Sequence, residues 1–85
     1  MVVDNAPPLI IAPKIVRAFT SRPDGTRVRF RVRAVDKHDG RVAVRCAPAS
    51  GRFFRLGTTR VTCRAHDRVG HKAVRRFKVV VRHRR

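Results

Sequence analysis

Few side chains in this chain can do chemistry, and their spacing narrows what they can do. Cys46 and Cys63 each lie in a segment that alternates apolar and polar residues, and both fall on the apolar parity. They flank a hairpin-like connection, so they can face each other across neighbouring strands. They would meet either as a disulfide or as two buried thiols packing as small hydrophobes. As a disulfide they would close a short loop worth ~3 kcal/mol in the chain-entropy model. They form no Cys-x-x-Cys knuckle, and His38, His66, His71 and His83 have no metal-type spacing, so no zinc site is expected. Burial also disfavours either cysteine as a nucleophile activated by a histidine. No Ser/His/Asp order and no paired-carboxylate cleft can be argued, so neither catalysis nor a cofactor is expected.

The carboxylates stand at turns. Asp4 is in the lead-in, Asp36 and Asp39 bracket one polar turn, and Asp67 opens another. Turns at one end of a sandwich cluster, which would allow a weak Ca²⁺ site. Capping of nearby backbone N–H groups is the favoured reading, because the ligand density is low and the background charge is strongly positive. There is no Glu at all, while Asp persists at the turns.

The arginines are the most conspicuous group. Arg27, Arg29, Arg31 and Arg33 alternate with Val28, Phe30, Val32 and Ala34, which is the period-2 pattern of a half-buried strand with a cationic outer face. Along a strand they recur at roughly 6.6–7 Å, close to the phosphate spacing of an extended nucleic-acid strand. Arg45, Arg60 and Arg64 are expected to extend that patch on the cysteine-bearing strands, and Arg82, Arg84 and Arg85 to add a mobile basic tail. Trp and Tyr are absent and Phe30 and Phe77 are expected to point inward, so stacking platforms for bases are lacking. Any nucleic-acid binding would then run through phosphates, blind to sequence and steeply salt-dependent.

The elements that position these residues follow from the whole chain. It has 85 residues, 22 Lys+Arg against 5 Asp+Glu, and a formal charge of +17. That size allows one small domain, taken as residues 1–85 with a core over 4–81 and a basic tail over 82–85. At 42% hydrophobic residues it is too apolar for a disordered basic tail. No apolar run approaches the ~20 residues of a membrane span. The start, Met1-Val2-Val3-Asp4, does not read as a signal peptide. Short strands are expected around Leu9–Ala12, Ile15–Ala18, Thr26–Ala34, Arg41–Cys46, Arg60–Ala65 and Phe77–Val81. Between them lie turns at Ser21–Gly25, Asp36–Gly40 and Asp67–Gly70, and a long connection over Ala47–Leu56. Six or seven strands at that spacing predict an all-β sandwich or small barrel.

The motifs carry a resemblance. Asp4-x-x-Pro7-Pro8 is followed by Val32-Arg33-Ala34-Val35-Asp36 and Asp39-Gly40. Then come Val44-Arg45-Cys46-x-Pro48-x-Ser50-Gly51 and Phe54-x-Leu56-Gly57-Thr58-Thr59. Val61-Thr62-Cys63-x-Ala65-x-Asp67-x-x-Gly70 and a closing Phe77-x-Val79-x-Val81 complete the string. Together they resemble one HYR (hyalin repeat) domain over essentially residues 4–81. The resemblance implies an immunoglobulin-like antiparallel β-sandwich of about seven short strands, with Cys46 and Cys63 paired in one disulfide. It also implies a non-catalytic extracellular or cell-surface adhesion or spacer module, often with neighbours of the same kind. Two departures stand out. The family's outer-face Thr, Ser, Asp and Glu positions are here mostly Arg, and Gly70 is followed by His71 where the family usually has Asn.

The expected function is a non-catalytic extracellular module that contacts an anionic protein, polysaccharide or cell surface electrostatically. Two rival readings fit the same residues. One is a sequence-non-specific nucleic-acid binder, which has no need of the cysteine pair. The other is a subunit of a fibre or particle-coating assembly whose acidic neighbour the basic face would neutralise.

Overall fold

Period-2 patterning becomes strand along most of its length, with residues 28–32 the exception. The computed structural model describes residues 7–36, 40–68 and 70–84 and is all-β. In chain order the strands are β1 (Leu9–Ile11), β2 (Ile15–Thr20), β3 (Gly25–Arg27), β4 (Arg33–Asp36), β5 (Gly40–Val42), β6 (Val44–Ala47), β7 (Phe53–Arg55), β8 (Gly57–His66) and β9 (Lys72–His83). No helix among these residues is long and apolar enough to cross a membrane.

One layer is a four-stranded sheet in the order β2-β9-β8-β6. Its spine is the long antiparallel β8–β9 hairpin, joined by β6 antiparallel to β8 and by β2 parallel to β9. The facing layer is built along residues 25–36. Its upper half pairs β1-β4-β5 and its lower half pairs β3 with β7. The segment 28–32 joins the halves: Val28 exchanges backbone hydrogen bonds with Gly51 and Arg52, and the Phe30 N–H donates to Ser50 Oγ at 2.8 Å. The core lies between the layers. Ile10, Val28, Ala34 and Phe54 from one side meet Val61, Cys63, Ala65, Phe77, Val79 and Val81 from the other. Phe30 bridges them, its ring edge-on to Phe54 at 6.3 Å and to Phe77 at 5.0 Å.

The immunoglobulin-like sandwich expected from the sequence is what forms, with differences of detail that have physical causes. The continuous strand expected over 26–34 is two ladder segments, because its neighbours change from β7 to β1 and β5 partway along. The segment 41–46 likewise crosses from one sheet to the other at Ala43, giving β5 and β6. The expected connection 47–56 contains β7, whose Phe54 enters the core while Phe53 and Arg55 turn outward. Gly25 is needed where β3 meets β7: its φ is 137°, and a Cβ there would overlap the Phe54 carbonyl oxygen.

Candidate functional site

A disulfide fixes one edge of the four-stranded sheet. Cys46 on β6 stands directly opposite Cys63 on β8, and the two are bonded across the strands with their Cα atoms 3.9 Å apart. Cys63 is fully buried and Cys46 half-buried, and neither is a free thiol.

Among the described residues no three of His, Cys, Asp and Glu gather as a metal site would require. Asp4 and Asp39 of the expected turn set lie outside the described residues. Asp36 ends β4 opposite Gly40. Asp67 is buried at the β8–β9 turn, where it binds its own loop. The His71 N–H donates to Asp67 Oδ1 at 2.8 Å, the His71 Nδ1 lies 2.8 Å from Oδ2, and the Asp67 N–H donates to the His71 carbonyl at 3.1 Å. His71 is therefore a structural partner of Asp67, a role that its place after Gly70 in the sequence does not reveal. Burial pushes the Asp67 carboxyl up. Hydrogen bonds from the His71 ring and backbone, the ring's charge and the Gly70 N–H outweigh it, so the carboxyl sits below its ordinary value of 3.8.

A carboxyl held low in the folded state stabilises the fold above its unfolded value, and that stabilisation is lost as pH falls through the folded value. Asp67→Asn is accordingly expected to flatten the decline in urea midpoint between about pH 5 and pH 2, where unfolded Asp titrates. Equal pH profiles for variant and parent would remove this role.

All arginines among the described residues are exposed, but they do not form one patch. Arg27, Arg29, Arg31 and Arg33 lie on the outer side of the layer that contains β3 and β4. There Arg27 pairs across to Phe53, Arg33 to Ile11, and Arg41 and Arg55 join the same face. Arg45, Arg60 and Arg64 lie on the outer side of the four-stranded sheet, facing away from the first group. The expected extension of one patch across both is therefore corrected: the inward parity of each layer meets the core, so the outward parities diverge.

On the four-stranded sheet the register brings like charges together. Arg45 stands opposite Arg64, and Arg60 opposite Lys78. Arg76 stands opposite Thr62, Lys72 opposite His66, Arg17 opposite Val80, and Arg82 opposite Phe19. None of the residues these strands turn outward is acidic. Two shallow depressions lie on this face. One of about 420 Å³ is bordered by Arg45, Thr62, Arg64 and His66, and one of about 340 Å³ by Lys14, Arg60, Arg76 and Lys78. Arg17, Lys72, Arg76 and Lys78 were missed as candidates. The same alternation marks Lys78 between Phe77 and Val79, but only the strand order sets these residues beside Arg60 and Arg64.

One further expectation changes. Arg82 and His83 are not tail: they end β9 opposite Phe19 and Thr20, and the Arg84 N–H donates to the Thr20 carbonyl at 2.7 Å. Arg85 lies outside the described residues. Phe30 and Phe77 point inward as expected, while Phe19 and Phe53 are 58% and 49% exposed, each beside an arginine.

Comparison with family models matches the HYR domain over residues 3–81. Comparison with curated proteins finds no match.

Proposed function

The chain belongs to the HYR domain family, non-catalytic extracellular modules of immunoglobulin-like fold implicated in adhesion, and from that premise we propose that this member holds anionic partners electrostatically on its outward arginines. One observation carries the reading. Arg45–Arg64 and Arg60–Lys78 are like-charged cross-strand pairs with no acidic residue turned outward beside them. Like charges directly opposite destabilise a sheet, and an anion lying between them removes that cost. Arginine suits the role, because its planar fork grips sulfate, phosphate and carboxylate with two parallel hydrogen bonds.

The test is a binding titration against heparin, with uncharged dextran as control, from 50 to 200 mM salt. Dextran is expected not to bind. Heparin affinity is expected to fall roughly 10³-fold over that range, as counterion release predicts for about six neutralised anionic groups. Salt-independent binding, or equal binding to dextran, would contradict the electrostatic reading.

A further inference from the structure

Resting on that reading, we propose that the domain holds two linear sulfated polysaccharide chains at once, one on each outer face, and so cross-links them. The outer faces are separate cationic surfaces. One carries Arg27, Arg29, Arg31 and Arg33 in a row, and the other carries Arg45, Arg60, Arg64, Arg76 and Lys78. Between them lies the apolar core, with Phe30 packed on Phe77 at 5.0 Å. The sheets of a sandwich stand roughly 10 Å apart, and the arginines of each reach further outward. Polyanions on the two faces are thus separated by more than the ~8 Å Debye length at physiological salt, and the first one bound barely repels the second.

One chain serving both faces would have to fold back around a sheet edge. The long β9, 12 residues and so about 40 Å, instead offers a straight track along which a stiff polysaccharide runs without bending. The polyanion class follows from chemistry and compartment. The disulfide and the extracellular family place the domain where sulfated and uronate polysaccharides are the abundant linear anions. Phe19 and Phe53 are single exposed rings on opposite faces, so neither face has the run of aromatics that stacks successive bases.

The experiment uses heparin oligosaccharides too short to span both faces, and long heparin, at low salt. The parent is expected to bind two oligosaccharides per molecule by calorimetry, and to turn long heparin turbid near charge balance. The combined variant Arg27→Thr, Arg29→Thr, Arg31→Thr, Arg33→Thr, and the variant Arg45→Thr, Arg60→Thr, Arg64→Thr, Arg76→Thr, are each expected to bind one oligosaccharide and leave long heparin clear. Circular dichroism confirms that each is folded. A parent that saturates at one oligosaccharide overturns cross-linking and leaves the electrostatic reading standing, whereas a parent that binds none overturns both. Tighter binding of a DNA duplex than of heparin at equal charge and salt would overturn the polysaccharide assignment.

Discussion

Phe77→Ala is expected to lower the free energy of unfolding by about 4 kcal/mol, read from the urea midpoint. Phe77 is 3% exposed at the middle of β9 and meets the edge of Phe30 from the facing layer. It is one of the contacts that hold the layers together, and residues 28–32, which have only partial ladder support, rely on packing through Phe30. Truncation therefore loses the buried ring, the aromatic pair and the seat of Phe30. Total stabilities of small domains are only ~5–15 kcal/mol, and this one also carries the self-repulsion of +17 charges. The variant is expected to unfold at low denaturant or to require added salt. Phe53→Ala supplies the control: Phe53 is 49% exposed, and its loss is expected to cost less than about 1 kcal/mol. Equal effects at the two positions would refute the assignment of Phe77 as the central core residue.

Removing the disulfide comes next in size. Cys46→Ala combined with Cys63→Ala is expected to cost about 3 kcal/mol, the loop-closure value for bridged residues 17 apart in sequence. The bridge fixes β6, the edge strand of the four-stranded sheet, onto β8. It also holds Arg45 against Arg64, a pairing that repulsion would otherwise open. The loss should accordingly be larger at low salt than at high salt, where the arginines are screened. Salt-independent destabilisation would show that the bridge acts on loop entropy alone and does not restrain repulsion between the arginines.

Much of this was legible in the residues themselves. Alternation in Thr26–Ala34 assigned every inward and outward position correctly, although the ladder is interrupted there, because extended backbone alternates whether or not it is paired. The facing of Cys46 and Cys63 was legible for the same reason. The strand at Phe53–Arg55 was not, because Pro48 and Gly51 gave the segment the composition of a loop and only pairing with β3 makes it a strand. The burial of Asp67 was also hidden. Capping of backbone N–H groups was expected of a turn carboxylate, but the ring of His71 becomes a second partner only through the geometry of the turn.

By itself, the sequence determined the strand content, the turn before β3 and the turn between β8 and β9, the inward and outward parities, and the motifs of an HYR domain. These are local properties, set by side-chain period and by turn chemistry within a few residues. Only the tertiary structure decided which arginines are neighbours. That depends on strand order: β2 running parallel to β9, β6 lying beside β8, and the run 25–36 crossing to the other layer. Strand order is settled by long-range burial of the common core, which alternation alone does not encode. A row of cations read as one patch thus became two, facing opposite ways because the apolar side of each sheet must face the other.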